Sequence, residues 1–163
     1  MMLNRIKDGA IITGLAAVIS FVGCSTPSQN APEAHEKRAL ASFSQEITSP
    51  VHEFQIKTGG VYTLDIEVKN TGTEPWFRGD GPLFVDAGYR WHDSTGAVLP
   101  LEGTRAQLTR SVIPPGETDS LKLQVLAQPK PGSYTLWISM VQEQVAWFFD
   151  KGASPLILHV TIT

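Results

Sequence analysis

Catalysis by this chain would have to draw on four histidines, one cysteine and sixteen acidic residues, and their spacing argues against it. A nucleophile needs a base within hydrogen-bond reach and a group to orient that base. His35, His52, His92 and His159 are scattered instead, with no G-x-S-x-G elbow and no H-E-x-x-H pair. His92, in YRWHDSTG, stands beside other aromatics and reads as a polar residue entering a turn. Cys24 is the sole cysteine, which excludes an internal disulfide and any multi-cysteine metal site. The carboxylates do not fall at calcium-loop spacing, and no glycine-rich loop opens a helix to cradle a phosphate. The expectation is a protein that is not an enzyme and carries no cofactor or metal. The formal charge of -3 is spread over both signs without the basic stripe that nucleic acid demands.

Aromatic side chains are the chemistry that remains. In VQEQVAWFFDKG, Trp147, Phe148 and Phe149 are consecutive, so on a strand they cannot all face one way. Trp91 shares its parity with Val85, Ala87 and Tyr89 and reads as core, whereas Trp137, flanked in parity by Thr135 and Ser139, reads as outward-facing. An outward indole beside polar side chains stacks on the apolar face of a pyranose while its neighbours take the hydroxyls. It equally suits a protein interface.

The elements that must position these residues are strands. VYTLDIEVKN, LFVDAGYRWHD, LKLQVLA, YTLWISM and LILHVTI each alternate with a period of two, as half-buried strands do. Turn residues separate them at Asn70 to Gly72, Asp80 to Pro82, Ser94 to Gly96, Pro114 to Gly116 and Pro129 to Gly132. With no long amphipathic helix between them, the pattern predicts an all-β, antiparallel sandwich of about seven or eight strands. Tyr134, just inside the strand after PKPGS, stands where a Greek-key sandwich places its tyrosine corner. The last two strands are expected to end near Glu143 and to begin near Leu156.

Ahead of the strands, Arg5 and Lys7 precede an apolar run from about Ala10 to Val22, the charged and apolar parts of a secretory signal. The run ends in Phe21-Val22-Gly23-Cys24, which resembles a bacterial lipobox with Phe21 in place of the usual Leu. That resemblance implies a signal peptide over residues 1–23 and acylation, including palmitate, of Cys24. Several acyl chains make such an anchor stable. Ser25 follows the cysteine where no Asp marks inner-membrane retention, so the expected address is the outer membrane, facing the periplasm. Residues 24–50, rich in Ser, Pro and Ala, read as a flexible tether, and residues 51–163 as one domain.

The phrases NTGTEPW, YRWHDSTG, TRAQLTRSVIPPGE, PKPGSYTL and VQEQVAWFFDKG together resemble the immunoglobulin-like modules appended to bacterial glycosyltransferases and sugar-modifying methyltransferases. The carbohydrate-binding domain of O-antigen ABC exporters is similar in layout. Asn70, Gly72 and Trp76 match the first motif; Tyr89, Trp91, Asp93 and Gly96 the second; Arg105, Leu108, Pro115, Gly116 and Glu117 the third. Gly132, Tyr134 and Leu136 match the fourth, and Glu143, Trp147, Phe148 and Gly152 the last. Ala106 departs from the usual Thr, and Phe77 from the usual Pro. The resemblance implies an immunoglobulin-like Greek-key sandwich without catalysis. The expected role is a protein-interaction or accessory module on a lipid anchor, with a glycan of the envelope as the alternative ligand. The residues expected to bind are Trp137, Trp147, Arg105 and Glu143.

Overall fold

The computed structural model describes residues 38–163. The proposed signal peptide, Cys24 and the first part of the tether lie outside the described residues. The strands are β1 (Gln45–Thr48), β2 (Glu53–Ile56), β3 (Val61–Asn70), β4 (Trp76–Phe77), β5 (Val85–His92) and β6 (Val98–Glu102). They continue as β7 (Ala106–Gln107), β8 (Val112–Ile113), β9 (Thr118–Leu126), β10 (Gly132–Gln142), β11 (Ala146–Trp147) and β12 (Leu156–Ile162). A short 3-10 turn, Phe149–Lys151, precedes β12. Twelve strands therefore stand among the described residues, against seven or eight expected. Eight of them run to four residues or more, and β4, β7, β8 and β11 are two-residue pieces too short to leave a periodic signal. No helix among the described residues is long and apolar enough to cross a membrane.

One sheet has the order β1-β3-β9; a seven-stranded sheet has the order β2-β12-β10-β5-β6, with β11 added on β10 and β7 on β5; and β4 pairs with β8 as a small third sheet. With β3 and β9 in one layer and β5, β10 and β12 in the other, the chain crosses repeatedly between layers. That is the immunoglobulin arrangement, in which strands B and E face strands C, F and G. All of these pairings are antiparallel except β2 with β12, which run parallel.

Period-two burial builds the core. Leu64, Ile66 and Val68 of β3 and Leu121, Leu123 and Val125 of β9 face Tyr89, Trp91, Leu136, Ile138 and Leu158 from the other sheet. Trp91 is fully buried and meets Tyr89 and Tyr134 edge-on, with ring centroids 6.1 and 5.9 Å away. This is the place of the core tryptophan of strand C. Two polar links tie the layers. The Tyr89 hydroxyl accepts from Leu126 N at 2.9 Å, and buried Gln45 on β1 accepts from Met140 N at 2.8 Å through Oε1.

Gln45 also moves the domain boundary. Composition places the start of the fold at Val51, but β1 pairs with β3 from Gln45↔Asn70 to Thr48↔Glu67, and Leu40 and Ile47 are buried. Buried Gln142 accepts from Leu40 N at 2.8 Å and donates to Arg38 O at 2.9 Å. The sandwich thus includes residues of the segment read as tether, because a four-residue strand carried by side-chain amides shows little hydrophobic patterning.

Tyr134 fulfils its expected role, its hydroxyl donating to Lys130 O at 3.0 Å across the turn before β10. Tyr134→Phe deletes that bond and nothing else, so urea unfolding should show a loss of about 1 kcal/mol. An unchanged midpoint would show that the corner contributes nothing.

Candidate functional site

The two outer faces of the sandwich differ in kind. On the β3–β9 face, Thr63, Asp65, Glu67, Ser120 and Lys122 stand in solvent, with the exposed Asp65–Lys122 pair at 2.6 Å. Such a pair contributes little. On the outer face of the seven-stranded sheet, alternation projects Gly88, Arg90 and His92 from β5, Thr135, Trp137 and Ser139 from β10, and Ile157 from β12.

The connection from β10 to β12 folds over part of this face. A turn with Gln144 at φ 60° returns the chain as β11, pairing Trp147 with Val141. Residues opposite each other on paired strands share a face, so Trp147 lands on the outer side and Phe148 on the inner. Phe148 is fully buried, with Trp76 and Phe43 edge-on at 5.5 and 5.2 Å. Trp147 is 6% exposed and lies over Gly88, where a Cβ would come within 2.8 Å of its Cη2. The Arg90 and Arg105 guanidinium groups each lie over the Trp147 ring, 4.7 Å from its centroid. Arg105 Nε donates to Glu143 Oε1 at 2.7 Å, clasping the start of the connection.

Asp86, on the same face, is 6% exposed, and its Oδ1 has no hydrogen-bond partner among the described residues. Loss of hydration, then the Glu143 carboxylate, push its pKa up to about 6; Arg105 opposes the shift and Asp80 adds to it.

Beyond this clasp lies a groove of about 420 Å³, lined by Arg90, His92, Val98, Trp137, Phe149 and Asp150, with the 152–155 segment as its far wall. The His92 and Trp137 rings stack at 4.3 Å with planes 24° apart. His92 Nδ1 lies 3.2 Å from Gly96 O, and since a carbonyl only accepts, Nδ1 carries the proton. Nε2 is buried with no hydrogen-bond partner among the described residues. Phe149 stands edge-on to Trp137 at 6.3 Å and stacks on Trp147 at 5.3 Å, so it joins clasp to groove. Arg90 lies over Phe149 as well, at 4.8 Å, and approaches Asp150 at 3.5 Å.

Of the residues expected to bind, Trp137 is half-buried, outward-facing and in the groove. Trp147, Arg105 and Glu143 are brought together, but as the clasp, and none of them lines the groove. His92 does enter a turn as expected, yet its ring is also the support beneath Trp137. Sequence reasoning missed Arg90, Phe149 and Asp150 as lining residues. Parity held the signal for Arg90, which falls between two core aromatics and so must share Trp137's side.

No family model matches this chain, and no curated protein matches it. Among solved structures it is similar to a β-glucosidase from Listeria innocua, at 10% identity and a TM-score of 0.46 over 73% of this chain and 16% of that one. The chain thus spans about a sixth of that enzyme's length. It is also similar to the CARDB domain of PF1109 from Pyrococcus furiosus, at 13% identity and a TM-score of 0.42, covering 74% of this chain and 93% of that domain.

Asp86 supplies a pH test. Its folded pKa of about 6 exceeds the ordinary 3.8, so the folded state holds that proton more tightly than the unfolded chain. Stability from this group is therefore full below about pH 4, falls as pH rises through about 6, and is flat above. Asp86→Asn should gain on the order of 2–3 kcal/mol over the parent at pH 7 and nothing at pH 4, by chemical denaturation at each pH. Parallel curves for the two proteins would remove Asp86 as the cause.

Proposed function

We propose that this chain is a non-catalytic lipoprotein of the bacterial envelope, acylated at Cys24 and held at the outer membrane facing the periplasm. Its sandwich serves as an accessory binding module, with the outer face of the seven-stranded sheet as its recognition surface. The observation that carries this reading is the indole of Trp137, stacked through one side on His92 and bordering an open groove. A ring already seated on its support loses little freedom when a ligand arrives. Arg90, Asp150 and Ser154 surround it with hydrogen-bonding groups. An aromatic platform with a polar border suits a saccharide of the envelope.

A second reading has its own support. Val98 and Ile157, 57% and 44% exposed, lie on the same face on either side of Trp137 and His92. Exposed aliphatic residues around an aromatic centre suit a protein partner docking on the sheet.

Full-length protein in detergent micelles, tested against a panel of envelope polysaccharides and by cross-linking in intact cells, separates these readings. Trp137→Ala should reduce retention of the bound class roughly tenfold or more, equivalent to about 1.4 kcal/mol, while the thermal midpoint stays nearly constant. Unchanged retention with the fold intact would mean that this face is not the recognition surface.

A further inference from the structure

We infer that the ligand of the Trp137 groove bears an oxyanion, and that Arg90, packed against Phe149 and Trp147 in the lining of the groove, is the residue that reads it. This rests on the saccharide reading above and names the class: a saccharide carrying a carboxylate or phosphate. The Arg90 Cζ lies 4.7 and 4.8 Å from the two ring centroids, so aromatic contact holds the guanidinium against the groove that it lines. Among the described residues its N–H donors meet one carboxylate, that of Asp150, at 3.5 Å. This is too long for a good charge-assisted bond, which closes to about 2.7–2.9 Å. The Asp150 side chain is 50% exposed and that of Arg90 25% exposed, so both are open to an incoming group.

Arg105 is the useful contrast, because it too lies over Trp147 but closes on Glu143 at 2.7 Å and stays out of the groove. One stacked arginine has its carboxylate in place. The other is presented to a ligand site with its donor set largely unspent, the arrangement a two-oxygen acid completes. The Trp137 ring beside it takes the apolar face of the sugar that bears the acid. Asp150 then sets a cost on acid binding, since the ligand must displace it from Arg90, and its removal should help an acidic ligand.

Calorimetric titration of full-length protein in non-ionic detergent tests this, with oligogalacturonate against its neutral methyl ester and mannose 6-phosphate against mannose. At least one acid is expected to bind roughly tenfold or more tightly than its neutral counterpart, with the preference weakening as salt rises. The pair that shows the preference tells carboxylate from phosphate. Arg90→Gln should abolish the preference, Arg90→Lys keep part of it, and Asp150→Asn enlarge it. If Arg90→Gln does not fold, the acid-to-neutral ratio on the unaltered protein still decides. Equal binding of both acids and their neutral partners overturns the inference and leaves the saccharide reading standing. Absence of binding by all four probes and by the polysaccharide panel overturns both.

Discussion

The face proposed for recognition depends on one constraint: the connection between β10 and β12 must lie down on the sheet at Gly88. Any side chain there would occupy the space that Trp147 fills. Once Trp147 is seated, the alternation of Trp147, Phe148 and Phe149 divides the three rings between two environments. Phe148 enters the core against Trp76, which fastens the connection from beneath. Trp147 and Phe149 remain on the outer side, stacked on one another and flanked by arginines. Each guanidinium over an indole is worth on the order of 1 kcal/mol when partly desolvated. Those contacts place Arg90 and the wall of the groove together, so the shape of the groove is a by-product of how the connection packs.

The rest of the sandwich keeps this face rigid. Tyr89 and Gln45 link the sheets through hydrogen bonds to backbone N–H groups, which orders the layers more sharply than apolar contact alone. Gln142, at the end of β10 where the connection begins, spends its side-chain amide on Leu40 N, Arg38 O and Leu83 O. The segment before β1 is thereby stitched to the root of the connection, and a groove wall on that connection inherits the fixity. A scaffold of this kind lets a shallow site retain its shape without a ligand, and so lowers the ordering cost of binding.

Much of the fold was legible because half-buried strands write their burial into a period of two. The five long alternating runs became β3, β5, β9, β10 and β12, and Tyr134 and Trp91 took their expected places. What escaped shows no apolar alternation in its sequence. β1 is held by Gln45 and by pairing, β4, β7, β8 and β11 are two residues long, and the clasp joins Arg105 to Glu143 across 38 positions. The site was half legible for the same reason. Parity put Trp137 outside, and it equally put Arg90 outside, but only the tertiary fold shows that Arg105 is spent on Glu143 while Arg90 faces the groove. The aromatic cluster that resembled a binding site most closely turned out to be chiefly architecture, with Phe149 its contribution to the groove.

One face, centred on Trp137, is proposed to do the recognising. Four tryptophans at four sites give a direct reading of it, since each indole N–H has its own resonance in a proton–nitrogen correlation spectrum of the labelled protein. Titration with a bound saccharide should shift the Trp137 signal most and that of Trp147 less, through Phe149. Trp76 and Trp91, both fully buried on the far side of the sheet, should stay in place. A titration that moves Trp76 or Trp91 while leaving Trp137 unchanged would place the binding surface elsewhere.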